Sequence, residues 1–121
     1  MANGKVAHRS KEDEQWQETK RLVSIRDKNM CVACRMLTPR EYQAFMASRP
    51  IGIGMIQHAH IIPVGRDQGL TYDVDNVVCL CAAHHDRIDS MRDLVTGKAM
   101  KRSDQEHWWE RIKKYAGIKK V

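Results

Sequence analysis

The sequence predicts a small α+β protein: two short strands and a helix form its centre, metal-ligating side chains tie that centre together, and further helices flank it at both ends. Cysteine and histidine residues form two closely spaced pairs that are separated by 46 residues of chain. Strand-like patterns and one short helix-like pattern lie between these pairs, and longer helix-like patterns lie at both ends of the chain. A chain of 121 residues buries a limited fraction of its surface, so a metal tether would supply stability that a small core cannot.

The N-terminal helix is predicted over residues 11–26. Ser10 can cap its acidic first turn, and Trp16 belongs to a partial apolar face. Residues 1–9, which precede this helix, are predicted to form a flexible basic arm.

A second, shorter helix and a C-terminal helix are predicted from capping patterns. Thr38 and Glu41 have the spacing of a capping box, and this helix is predicted to end near Ser48, before a proline. Residues 103–106 resemble a second capping box, and Gly117 is placed to end the helix that follows.

Two strands and a third helix are predicted between those elements. Residues 57–62 have the pattern of a strand that stops at Pro63, and Val77-Val78 indicate a second strand. Around Cys81 the pattern changes to that of a helix, which is predicted to continue to Asp89 or slightly beyond.

The composition limits the classes of function. The formal net charge is +6, which favours an acidic partner such as nucleic acid. No apolar run approaches the roughly 18–20 residues that span a bilayer, and the N-terminus lacks the apolar stretch of a secretion signal. We therefore expect a soluble, intracellular protein without a membrane partner. In a reducing compartment its four cysteines are expected to be metal ligands rather than disulfides.

The cysteine spacing predicts a structural zinc site. Cys31 and Cys34 form one pair, and Cys81 with His84 is the most economical second pair, which gives the four ligands of a tetrahedral zinc. Cys79 competes with Cys81 for this role. The alternative is that these residues are reduced core cysteines and surface histidines.

Further polar residues are predicted to gather on this scaffold. His58 and His60 lie two apart on the first strand and share a face. Asn76 opens the second strand, while His85 and Asp89 lie one helical turn apart, a spacing at which an imidazole and a carboxylate can hold one divalent ion.

Two segments resemble the signature of the HNH endonucleases, which are also called ββα-metal or His-Me finger nucleases. They are His60-Ile61-Ile62-Pro63 and the stretch from Asp75-Asn76 to His84-His85. The stretch from Trp16 to Cys34 is similar to the helix and first zinc knuckle of family members that are common in phages. The resemblance covers about residues 16–90 and implies a ββα-metal core with a structural zinc.

The resemblance implies three catalytic roles. His60 would be the general base that takes a proton from the attacking water. His85 would bind a catalytic Mg²⁺ or Mn²⁺ ion, and Asn76 would hold the loop between the strands and so orient the base. A neutral histidine is a competent base at cellular pH.

One of the departures from the family pattern concerns the catalytic metal. Ala59 stands where the family has an aspartate or another ligand directly before the base. The ion would then be held by His85 with Asp89 and His58 as further candidates. The reverse assignment, with His58 as base and His60 as ligand, is the alternative.

The resemblance also implies DNA as the partner, contacted mainly at its phosphates and with weak sequence preference. In domain terms, residues 10–97 would be the zinc-stapled nuclease domain, and residues 98–121 a basic helix packed on it that is either a DNA-facing strip or a solvated tail. The predicted phosphate contacts are Arg66, Arg87, Arg92, Lys101 and Arg102.

The predicted function is a metal-dependent DNA endonuclease that acts in the cytoplasm of a bacterial host and is phage-encoded, working as a homodimer or within a larger phage assembly. The alternative is a non-catalytic zinc module that binds DNA or docks onto a larger machine and has lost nuclease activity.

Overall fold

The computed structural model describes residues 10–119. The predicted arm, residues 1–9, and the last two residues of the chain lie outside this range. In chain order the elements are α1 (Lys11–Asp27), α2 (Val32–Met36), α3 (Pro39–Ala47), β1 (Ile56–His60), β2 (Val77–Cys81), α4 (Ala82–Asp89) and α5 (Arg102–Ala116), with two short 3-10 helices at Gln68–Leu70 and Val74–Asn76. The fold is therefore α+β, as the sequence predicts.

Two of the predicted helix caps are confirmed. The Ser10 hydroxyl accepts a hydrogen bond from the Asp13 N–H at 3.0 Å at the start of α1. At the start of α3, the Thr38 hydroxyl accepts from the Glu41 N–H and the Glu41 carboxylate accepts from the Thr38 N–H. These side chains satisfy backbone donors that the first helical turn leaves unpaired.

The start of the C-terminal helix differs from the prediction. Helix α5 begins at Arg102, so Ser103 lies inside the helix and the capping box predicted over residues 103–106 is wrong. Instead the Asp104 carboxylate accepts from the Lys101 N–H at 3.2 Å. The other end is as predicted, because Gly117 adopts the left-handed conformation (φ +79°) that ends a helix.

The two strands form an antiparallel hairpin. His60 pairs with Val77 and Ile56 with Cys81, so β1 is shifted slightly toward the N-terminus relative to the prediction, and β2 continues to Cys81. Directly opposed residues of an antiparallel pair share a face. His58 and His60 therefore lie on one face of the hairpin, and Ala59 lies on the other.

The two faces of the hairpin are covered by different elements. Helix α1 covers the face of the histidines, where Val23 packs with Val77 and Cys79. The opposite face belongs to the main core, which includes Leu80 and side chains from α3, α4 and α5 (Phe45, Ile88, Trp108 and Ile112). The hairpin is thus held between α1 and the rest of the protein.

An ion pair fastens α5 to α3. Both terminal nitrogens of the Arg111 guanidinium donate to the two carboxylate oxygens of Glu41, each at 2.9 Å. This contact lowers the pKa of Glu41 to about 2. In the part of the chain that the structure describes, no helix has the length and apolar character needed to cross a membrane.

Candidate active site and metal centre

The two predicted pairs of metal ligands converge into one cluster. The ligand atoms of Cys31, Cys34, Cys81 and His84 all lie within 4.8 Å of one another. The first pair comes from the turn that opens α2, and the second from the turn that opens α4. Residues far apart in sequence therefore meet where two short helices begin.

The cluster has the dimensions of a tetrahedral zinc site. Nδ1 of His84 lies 3.6, 3.4 and 3.5 Å from the sulfurs of Cys31, Cys34 and Cys81. Zinc–sulfur bonds of about 2.3 Å and zinc–nitrogen bonds of about 2.0–2.1 Å place tetrahedral ligands about 3.5 Å apart. The donor set and its spacing therefore fit zinc, and these four residues can hold it.

Neighbouring groups orient the ligands of this zinc site. Nε2 of His84 lies 3.2 Å from the carbonyl oxygen of Leu94, which leaves Nδ1 free to bind metal. The ring of Phe45 stacks on His84 with centroids 4.1 Å apart. Hydrogen bonds from Cys31 and Cys34 lower the pKa of the Cys81 thiol, whereas the hydrogen bonds of Cys34 with Cys31 and Cys81, followed by burial, raise the pKa of the Cys34 thiol.

Cys79 lies outside this cluster. Its side chain is fully buried on the α1 face of the hairpin, and burial raises the pKa of its thiol to about 11. The competition between Cys79 and Cys81 is therefore decided for Cys81.

His60 lies at the end of β1 and its ring is oriented by two contacts. Nε2 lies 2.9 Å from the carbonyl oxygen of Thr71, which can only accept, so Nε2 carries the proton and Nδ1 is the free acceptor. The ring also stacks on the indole of Trp16, with centroids 5.0 Å apart and planes at 16°.

His58 is held differently from His60. Its Nε2 lies 2.8 Å from the Ser24 hydroxyl of helix α1. Burial, together with the charge of Lys20, lowers the pKa of His58. This shift favours the neutral form of His58.

Asn76 ties together the loop between the strands. It is fully buried, and its amide oxygen accepts from the Ile62 N–H at 2.8 Å. Its amide nitrogen donates to the carbonyl oxygens of Ile62 and Leu70. Since this loop also carries Thr71, the Asn76 side chain stabilises the segment that holds the ring of His60.

His85 lies in the first turns of α4, between two polar partners. Its Nδ1 lies 2.7 Å from Oε1 of Gln57, and its Nε2 lies 3.1 Å from Oδ2 of Asp89. The hydrogen bond to Asp89 raises the pKa of His85. Ala59, which lies on the same face of β1 as Gln57, is buried and offers only a methyl group.

An open cleft of about 640 Å³ joins these groups. His58, His60, His85 and Asp89 all line it. One wall is the start of the loop after β1 with Arg66, and the other is α5, including Arg102, Trp109 and Lys113. The sequence predicts the histidines, Asp89, Arg66 and Arg102 for this region, and it left open whether the C-terminal helix would face DNA or be a solvated tail.

The five predicted phosphate contacts fall into three groups. Arg66 and Arg102 are exposed and line the cleft, whereas Lys101 and Arg92 are exposed beyond it. Arg87 points inward: it donates to the carbonyl oxygens of Leu94 and Val95 and to the Ser48 hydroxyl, and it lies over the ring of Phe45. The structure therefore uses Arg87 to support the metal centre and argues against the DNA contact predicted for it.

Two residues at the site were not singled out for a role there by sequence reasoning. Gln57 contacts His85, and Trp16, predicted only as part of an apolar helix face, stacks on His60. Gln57 lies on the same strand face as Ala59, the position at which the family has a metal ligand. This spacing could have indicated the contact between Gln57 and His85. No local pattern could have indicated the contact between Trp16 and His60.

A hairpin followed by a helix, with histidines on the strand and the helix beside a Cys3His metal centre, defines a ββα-metal fold. The family model described as HNH endonuclease matches residues 31–92, just over half of the chain. The chain belongs to this endonuclease family. Searches of curated proteins and of solved structures find no match.

Proposed function

We propose that the protein is a metal-dependent endonuclease that hydrolyses phosphodiester bonds in DNA. The observation that carries the proposal is the shared cleft, which is lined by His60 from the hairpin and by His85 and Asp89 from α4. A base and a pair of ion ligands on one cleft are the parts that hydrolysis of a phosphodiester needs.

His60 is the proposed general base. Its Nε2–H is held by the Thr71 carbonyl, so the lone pair of Nδ1 is available to take a proton from water. A neutral imidazole is suited to this step near pH 7. His58 is the weaker candidate because the Ser24 hydroxyl at its Nε2 can donate as well as accept, so this contact does not fix Nδ1 as the free acceptor.

His85 and Asp89 are the proposed ligands of a catalytic Mg²⁺ or Mn²⁺ ion. Their facing atoms are 3.1 Å apart, which matches the roughly 3 Å between adjacent ligands of an octahedral ion with bonds of about 2.1 Å. When bound, the ion supplies charge stabilisation to the phosphate and the leaving oxygen. Gln57 accepts the Nδ1–H of His85, which directs Nε2 toward Asp89, where the ion would take the place of the hydrogen bond between them.

DNA is proposed to bind across the cleft through its phosphates. Arg66 and Arg102 are exposed at the cleft, and Lys101, the residue before Arg102, is also exposed. Arg92 is exposed at a separate depression and donates to the Gly97 carbonyl, so it is the weaker candidate. Lys113 is already paired with Glu110 at 2.6 Å, so it contributes less. Phosphate contacts of this kind are independent of sequence and weaken as salt rises.

A plasmid-nicking assay tests the proposal. The zinc-loaded protein is expected to nick supercoiled plasmid when Mg²⁺ or Mn²⁺ is added and to be inactive without it. His85→Ala is expected to reduce the rate by about 10²-fold or more, because it removes the imidazole that holds the ion. The control is Asp86→Ala, a change of the exposed neighbouring residue on α4.

A non-catalytic DNA-binding module is the second candidate function, favoured by the methyl group of Ala59 where the family places a metal ligand. Wild-type protein that shifts DNA in a gel but does not nick it with any divalent ion would support this candidate and contradict the nuclease proposal.

A further inference from the structure

We propose that Trp16 is the positioning residue that fixes the ring plane of His60, and that helix α1 is therefore part of the active site. Helix α1 ends before the segment that the family model matches, so this role is not part of that match. The inference rests on the proposed function, because it concerns the residue assigned there as the base.

The argument starts from what a single hydrogen bond leaves undetermined. The bond from Nε2 of His60 to the Thr71 carbonyl fixes one ring atom, but it allows the ring to turn about that bond. The indole of Trp16 lies 5.0 Å from the imidazole and nearly parallel to it, which blocks this rotation. Since the lone pair of Nδ1 lies in the ring plane, the stack sets the direction from which water is deprotonated.

The contact requires a flat ring. A large aliphatic side chain would serve equally well to cover the small cluster beneath α1, against which Trp16 packs. Only an aromatic side chain offers a face parallel to the imidazole.

Helix α1 is anchored to the same segment that supplies the Thr71 carbonyl. The Thr19 hydroxyl donates to the carbonyl oxygen of Tyr72 at 2.7 Å, and Arg26 donates to that of Val77 at 2.6 Å. Helix α1, which carries the indole, is therefore hydrogen-bonded to the segment that carries the Thr71 carbonyl. These hydrogen bonds keep the indole and the carbonyl in fixed positions relative to each other, so both contacts to His60 are maintained together.

The test compares Trp16→Leu with Trp16→Phe in the full, zinc-loaded chain. Leu22→Ala, a change of an exposed apolar residue on the same helix, is the control for general effects on α1. Two quantities are measured: the single-turnover nicking rate at saturating protein with Mn²⁺, and the mobility of the His60 ring by 13C NMR relaxation of its C–H groups. Thermal stability and zinc content are checked for each variant.

Trp16→Leu is expected to lower the single-turnover rate by about 10- to 100-fold without changing the protein concentration for half-maximal rate, because a misplaced base costs rate rather than binding. Its His60 ring should be mobile, whereas the wild-type ring is expected to be rigid, because the Thr71 carbonyl holds the tautomer in both proteins and only the stack on Trp16 is lost. Trp16→Phe should recover most of the rate and the rigid ring, and Leu22→Ala should match wild type.

A wild-type rate or an equally rigid His60 ring in Trp16→Leu would overturn the inference. The NMR measurement also separates it from the proposed function. If wild type does not nick DNA but the His60 ring becomes mobile in Trp16→Leu, the positioning role stands and the nuclease proposal fails. If wild type does not nick and the ring stays rigid in Trp16→Leu, both fail.

Discussion

Replacing His60 with alanine is expected to reduce plasmid nicking by about 10²- to 10⁴-fold, the range that loss of a general base produces. The effect on folding should be small. The ring of His60 is only half-buried, and its hydrogen bond joins it to a single carbonyl at the end of β1. Far-UV circular dichroism, thermal stability and zinc content should therefore remain those of wild type.

His107→Ala is the matched control for this experiment. His107 is an exposed histidine of α5, and it does not line the cleft. Its replacement should leave the nicking rate unchanged. A His60→Ala protein that nicks at the wild-type rate would remove His60 from the base role, and His58→Ala would then test the reverse assignment.

Loss of the zinc site is expected to unfold the domain. Cys34→Ser removes one of three sulfurs that surround Nδ1 of His84, and this cluster joins the start of α2 to the start of α4. Structural zinc contributes about 10–16 kcal/mol in small zinc domains, which is as large as the whole stability of about 5–15 kcal/mol of a typical protein. Loss of helical circular dichroism at 25 °C, in the variant or after chelation, is the expected result.

Cys79→Ala is the matched control because Cys79 is a buried cysteine outside the cluster. This variant should keep one zinc ion per chain and lose only part of its stability, since a small cavity replaces the sulfur. Retention of the fold after complete zinc removal would contradict the structural role of the site. So would loss of zinc in Cys79→Ala.

Short-range patterns predicted the local parts of this protein well. The caps at Ser10 and Thr38 depend on side chains that reach three residues along the chain, so the sequence contains all the needed information. The two pairs of zinc ligands, Cys31 with Cys34 and Cys81 with His84, have the same spacing of three residues, because the two ligands of each pair must lie one turn apart to reach one ion. Cys81 could be preferred over Cys79 only if the second strand was known to continue to Cys81. The sequence did not determine where this strand ends.

Contacts between distant segments could not be predicted in the same way. Trp16 meets His60 only because α1 crosses the hairpin, and the apolar pattern of α1 does not say which face it covers. Arg87 looked like a phosphate contact because it is a basic residue beside the proposed site. Its guanidinium instead lies against Phe45 and two carbonyl groups, a packing that depends on the loop after α4.

Anomalous X-ray diffraction from crystals of the zinc-loaded protein soaked in Mn²⁺ tests the central claim most directly. That claim is that His60 and His85 face a common divalent ion across one cleft. The expected result is a manganese peak bound to Nε2 of His85 and the Asp89 carboxylate, on the side of the cleft toward which Nδ1 of His60 points. A cleft without manganese at saturating concentration, or a His60 ring turned away from the bound ion, would contradict the account.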